Sequence, residues 1–261
     1  MSNVISIDPG AIVSSHAEIA QGVSIGAYTI IGDDVKIGEN CKIGAHLCID
    51  GDTAIGKNCV FHPFSSIGTP PQDLKFKGEK TRLTIGDNNT FREFVTVNIG
   101  TMGGGGVTTI GDNNFFMAYS HIAHDCHIGN NAIFANAATL AGHVEIEDHA
   151  TISAFSGVHQ FCRIGKYAYI GGYSVITQDA LPYILTVGNR AKSHGPNVIG
   201  LQRKGFSSET IDAIKTAYMT IFRSKMLLKD ALQKIESEMS QFEEVRYFCE
   251  FIRASKRGVI H

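Results

Sequence analysis

The strongest constraint on this chain is a six-residue period. Counted in sixes from Ile7, one column reads Val13, Ile19, Ile25, Ile31, Ile37, Ile43, Ile49, Ile55, Phe61 and Ile67. Counted from Ile110, a second reads Phe116, Ile122, Ile128, Phe134, Leu140, Ile146, Ile152, Val158, Ile164, Ile170 and Ile176, one residue out of register with the first. Positions two residues earlier are mostly small in the second stretch, as at Ser120, Cys126, Ala132, Ala138, Ala150, Ser156 and Cys162. Side chains two apart on a strand share a face. Each step therefore offers one large and one small inward residue, then a turn. Neither an amphipathic helix nor a plain hairpin sheet has this period. It predicts three short strands per coil of eighteen residues, with coils stacked about 4.8 Å apart as in a parallel sheet. Twenty-eight glycines and no tryptophan fit such a turn-rich β architecture.

The period also breaks informatively. Asp73 and Glu79 fall where an inward aliphatic is due, so Thr69 to Lys80 is predicted to leave the coil, with Pro70-Pro71 at the exit. Thirteen residues separate Val97 from Ile110, an insertion of one or seven. The run Gly103 to Gly106 favours seven, which places a loop near 101–107. Beyond Ile176 the pattern fades, Pro182 takes an inward position, and residues through Pro196 read as a linker. From Ser207 the apolar spacing becomes helical, with Ser207 or Ser208 as cap. The expected organisation is a β-helix over 1–190 and a domain of two or three helices over 191–261, which covers the solenoid's open strand edges.

A formal charge of −2 with 18% charged residues argues against a general nucleic-acid binder or a disordered chain. No stretch is apolar enough for stable membrane insertion, and MSNVISIDPG lacks the basic and apolar regions of a signal peptide, so a cytoplasmic location is expected. The six cysteines are scattered, without CxxC spacing. Cys41, Cys59, Cys126 and Cys162 fall in the small inward column and read as packed thiols rather than nucleophiles.

The densest polar cluster is His121, His124, Asp125 and His127. Three histidines this close suggest a metal, but the register separates them. His124 lies at a turn and points outward; His127 belongs to the next stretch. One coil on from His124 is Gly142, and one more is Gln160; one coil on from Asp125 is His143. A histidine beside a glycine with an open N–H pairs a base with an oxyanion donor.

The strings QDLK at 72–75, AHDC around His124, LAGHV at 140–144, VHQFC at 158–162 and PNVIGLQRKGFS at 196–207 resemble the UDP-N-acetylglucosamine acyltransferases, a hexapeptide-repeat family. The likeness spans the chain and implies a left-handed parallel β-helix with a small α-helical C-terminal domain. It implies transfer of a 3-hydroxyacyl group from acyl carrier protein to the 3-position of UDP-N-acetylglucosamine, the first step of lipid A synthesis, in a homotrimer with sites between subunits. No metal or bound cofactor is implied; the acyl group rides on the carrier's phosphopantetheine. Carried over by position, His124 is the general base, Asp125 its partner and Gly142 the oxyanion donor. Gln72, Asp73 and Lys75 contact sugar or acyl group, and His121, His143, His159 and Gln160 line the site. Asn197, Arg203 and Lys204 bind phosphates, while Arg223, Lys225, Lys229 and Lys234 offer a surface to the acidic carrier.

Three positions depart from the family or set its specificity. Asn98 stands where a histidine is usual; it hydrogen-bonds but does not titrate. Asn197-Val198-Ile199-Gly200 lacks the family's carboxylate. Gly172 occupies the acyl-measuring position, where a small residue predicts a longer chain. The rival readings are N-acylation of a 3-amino UDP-sugar or of a later UDP-glucosamine intermediate, a zinc-dependent carbonic anhydrase on the same coil, and a scaffold without catalysis.

Overall fold

The computed structural model describes residues 4–261; the first three residues of MSNVISIDPG lie outside it. Strands of two to four residues succeed one another on three faces. Face A begins at Ser6–Ile7, face B at Ile12–Val13 and face C at Glu18–Ile19, and the order A, B, C then recurs. Every pairing within the coil is parallel, and the register is the arithmetic one: Ser6 opposes Ser24, Ile122 opposes Leu140 and Ile146 opposes Ile164. From Ile25 onward the two inward columns form one continuous core; Val13 and Ile19 on the first coil are partly buried against it, and Ile7 at the open end stays exposed. Along the inside of face A, Phe61, Phe91, Phe116 and Phe134 stack with centroids 4.6, 4.7 and 4.8 Å apart. Such spacing follows from identical residues one strand apart, and each ring adds about 2–3 kcal/mol of burial.

The turns impose a backbone demand. From Asn113 to Tyr173, every sixth residue is left-handed, with φ of 57–66°. A non-glycine residue there costs about 1–2 kcal/mol, which short strands repeated over many coils offset through burial. The small inward residue that follows helps: Ser120 Oγ and Ser156 Oγ donate to carbonyls of their own or the next coil.

Both excursions leave from the corner between faces B and C. Ser66 pairs with Thr96, a step of thirty residues where a coil has eighteen, so twelve residues depart between them. Thr96 pairs with His121, a step of twenty-five, so seven depart, including a short 3-10 turn at Met102–Gly104. The next coil carries His124 and Asp125 at the same corner.

The stretch read as a linker is a pair of strands. Ile184–Val187 continues face A in parallel, and Lys192–Pro196 turns back antiparallel on it. Tyr183 is wholly buried at this joint. Helices then follow as α1 (Val198–Arg203), α2 (Ser208–Phe222), α3 (Leu228–Glu238) and α4 (Glu243–Ala254). Four helices stand where two or three were expected, because α1 is too short to show a period. Ser207 caps α2, its side chain accepting from the Thr210 N–H. α4 docks on face C: the Arg163 guanidinium lies 4.4 Å from the Phe251 ring and Lys166 Nζ 3.9 Å from that of Tyr247. The chain end returns to the coil, where Ser255 Oγ donates to the buried Asp179 at 2.7 Å. No helix among the described residues is long and apolar enough to cross a membrane.

Candidate active site

Asp125 occupies the left-handed position of its corner, with φ 58°. Its side chain is fully buried, while His124 keeps 15% exposure. His124 Nδ1 and Asp125 Oδ2 lie 2.7 Å apart. Thr101 supplies two donors to the same carboxylate, its backbone N–H to Oδ1 and its hydroxyl to Oδ2, each at 2.7 Å. A carboxylate so supplied is an acceptor, so Nδ1 of His124 carries its proton and Nε2 presents a lone pair.

Nε2 faces Gly142. A Cβ at Gly142 would lie 2.5 Å from His124 Cε1 and 2.8 Å from Nε2, so any larger residue would displace the imidazole. The Gly142 N–H makes no hydrogen bond among the described residues, although Ala141 N–H donates to Val158 O and His143 N–H to His124 O. The corner between faces C and A behaves differently. There the equivalent N–H groups of Lys57, Asp87, Asp112 and Asn130 each donate to the carboxylate or amide of the next coil, at 2.7 Å. At Gly142 the next coil offers Gln160, and the donor stays open.

A groove of about 460 Å³ runs along face B from this point. Gln72, His121, His124, Gly142 and His159 line it, and Thr139, Gly157, Val175 and Thr177 extend it toward the helical end. His121 is steadied by Thr96, with Nδ1 and Oγ1 2.7 Å apart. Burial, and then the neighbouring His124, lower its pKa. His143 lies across the corner, Nδ1 3.8 Å from Asp125 Oδ2 and its ring edge-on to His124 at 5.1 Å. Burial lowers its pKa too, and the carboxylates of Asp125 and Asp73 oppose that shift, which places Asp73 near it.

Other candidates lie elsewhere. Asn98 is buried and does not line the groove; its Nδ2 donates to Pro70 O at 3.0 Å and so anchors the start of the 69–80 excursion. The side chain of Lys75 is not part of the groove wall; its N–H closes a turn on Asp73. Gly172 is exposed on the corner between faces A and B, outside the groove of its own chain. Asn197 caps α1 beside Tyr183, and Lys204 is near enough to His149 to lower that residue's pKa. These residues and Arg203 thus sit at the corner between faces C and A, away from His124. His127 points outward from face C and meets Thr109 Oγ1 at 2.9 Å.

The periodicity did not point to Thr101, and it placed Thr108 only among the small inward residues; the Thr108 hydroxyl accepts from the Asp125 N–H at 2.8 Å. The inserted seven residues signalled a loop at this corner, but not which residue would turn back. His124, Asp125 and His143 bring potential ligand atoms within 4.8 Å and could hold a cation. The cysteines are free, and burial pushes Cys126 up to about 12 and Cys162 up to about 11, far from thiolate chemistry at neutral pH.

A family model described as bacterial transferase hexapeptide (six repeats) matches residues 16–51, 34–69, 108–142 and 143–178. A second, described as UDP N-acetylglucosamine O-acyltransferase, domain 2, matches 179–260. The acyl-[acyl-carrier-protein]--UDP-N-acetylglucosamine O-acyltransferase of Thermodesulfovibrio yellowstonii is 53% identical, covering 95% of this chain and 96% of its own. That of Ralstonia nicotianae is 51% identical over the full length of both chains. This chain belongs to the UDP-N-acetylglucosamine O-acyltransferase family. The crystal structure of the family's Bacteroides fragilis enzyme superposes with a TM-score of 0.95 at 43% identity, covering 97% of this chain and 99% of that one. The coil is accordingly the family's left-handed parallel β-helix with a helical C-terminal cap, in line with the resemblance.

Proposed function

We propose that this chain moves a 3-hydroxyacyl group from the phosphopantetheine thioester of acyl carrier protein to the 3-hydroxyl of UDP-N-acetylglucosamine, the opening step of lipid A synthesis. The observation that carries this reading is the pairing of a His124 Nε2 lone pair with the open Gly142 N–H, one coil apart. Nε2 takes the proton of the sugar hydroxyl as its oxygen attacks the thioester carbonyl. The resulting oxyanion accepts from the Gly142 N–H. The C–S bond then breaks, and the imidazolium returns its proton to the leaving thiolate. Asp125 keeps the imidazole in the required tautomer and stabilises its charge. Gln72, His121 and His159 hold substrate in the groove, with Asp73, His143 and Gln160 around the sugar. The protein needs no cofactor of its own and works in the cytoplasm.

Three features support a homotrimer with sites between subunits. Asn197, Arg203 and Lys204 lie at a different corner from His124, so they meet its substrate only from a neighbouring copy. Leu74 at the excursion tip is fully exposed. Tyr28, His46, Phe64, Phe94 and Tyr119 stack at 4.8–5.2 Å in an open stripe along the corner of faces A and B, an apolar surface of the kind that partners cover.

The deciding experiment is a transfer assay with carrier proteins bearing acyl chains of defined length, offered UDP-N-acetylglucosamine and its 3-amino analogue. Transfer to the hydroxyl sugar is expected, with a long acyl chain preferred. The variant His124→Ala is expected to lose about 10²–10⁴-fold in rate. Amide formation alone would replace this reading with its amino-sugar rival. The His124, Asp125 and His143 cluster gives the metal-dependent reading its one support; stoichiometric zinc with carbon dioxide hydration would favour it. Sedimentation is expected to give a trimer, and an active monomer would refute the shared site.

A further inference from the structure

We propose that Thr101 is a positioning residue for the His124–Asp125 pair, and that the glycine-rich excursion between Gly100 and Val107 exists to deliver it. This rests on His124 as the general base. Apart from His124 itself, the hydrogen bonds to Asp125 come from the coil beneath. Thr101 donates twice to the carboxylate, and Thr108 accepts the Asp125 N–H at 2.8 Å. While it donates to Oδ2, the Thr101 hydroxyl also accepts from the Gly104 N–H at 3.2 Å, which closes the excursion on itself.

The glycines suit this closure. A Cβ at Gly104 would lie 2.0–2.4 Å from the Asp125 carboxyl carbon and oxygens. Gly105 and Gly106 have φ of 98° and 83°, which bring the chain back to the strand at Val107 without strain. The loop therefore lies on the carboxylate with Thr101, itself buried, as its donor to Asp125. Without the Thr101 hydroxyl, His124 is the one remaining hydrogen-bond partner of Oδ2, with His143 Nδ1 3.8 Å away and the Thr101 N–H still on Oδ1, and the carboxylate shifts on that single anchor or holds the imidazolium proton more tightly. The other titratable groups around the pair are His143, His121 and the buried Cys126 thiol, with Asp73 and His127 further out. A change at Thr101 leaves all five in place.

The test compares Thr101→Val, which keeps the branched shape, with Thr101→Ser, which keeps the hydroxyl, in the carrier-protein assay across pH. Thr101→Val is expected to lower kcat about tenfold or more, with KM for the sugar nucleotide within about twofold. The acid limb of its kcat profile moves to higher pH, and Thr101→Ser restores both. Gly104→Ala, which crowds the carboxylate directly, is expected to lower kcat without touching the groove, and it serves where Thr101→Val fails to fold. Wild-type kcat and profile in folded Thr101→Val, or Thr101→Ser as slow as the valine variant, would overturn the proposal. A 15N spectrum of labelled histidine reads the His124 tautomer without any substrate. If the wild type proves inactive yet Thr101→Val shifts that signal, the clamp stands and the catalytic reading falls. If the signal does not move, the clamp falls.

Discussion

Gly142 matters at its position in two ways. It clears the space that His124 fills, and it exposes an N–H which side chains cap at another corner of the coil. Gly142→Ala is expected to keep the fold, since the corner needs no positive φ there, yet to push the imidazole aside and cost about a hundredfold in kcat. Near-wild-type kcat with an unchanged melting profile would show that the imidazole has room to spare. Asn98 is the contrasting residue. Register places it one coil below Ala123, beside His124. Its amide instead holds Pro70, because a short side chain at the start of one excursion meets the exit of the one beneath.

At the scale of elements, the corner between faces B and C is the organising unit. Three consecutive coils use it for the 69–80 excursion, the Gly-rich excursion and the His124–Asp125 turn. Strands too short to stand alone hold this corner in place only through the stacked core. Phe116 sits in the middle of that stack, fully buried between Phe91 and Phe134. Phe116→Ala is expected to cost about 3–5 kcal/mol, read as a lower denaturation midpoint. An unchanged midpoint would mean that neighbouring coils collapse into the space. The inward columns were fully legible, since burial on a strand repeats with the backbone. The strand at Lys192–Pro196 was not: it falls in the stretch that reads as a linker, and only pairing with Ile184–Val187 makes it extended.

For the whole molecule, burial leaves a titration signature. His121, His143 and His149 all have pKa values lowered from 6.5, with burial the largest cause of each. Between 6.5 and those lower values the unfolded chain binds more protons than the folded one. Stability is therefore full above about pH 6.5 and is lost as the pH falls below it. The melting temperature is expected to drop between pH 7.5 and pH 5, and His121→Gln to flatten the slope. A melting temperature that rises on acidification would contradict this. At the C-terminal end of the coil the returning chain places Ser255 on Asp179, the Ile260 N–H donates to Asp179 O, and Ile260 joins the main core.

The six-residue step was enough to determine the coil, the inward cysteines, the departure of both excursions, and the stacking of His124 under Gly142 and of Asp125 under His143. Burial with a strict period leaves one register, and a register is an alignment. What lacks a period had to wait for tertiary structure. The turn of Thr101 onto Asp125, the clearance at Gly104, the grip of Asn98 on Pro70 and the removal of Arg203 and Lys204 to another corner are all set by packing between segments. Neither strand pairing nor burial repeats there, so spacing along the chain carries no record of them.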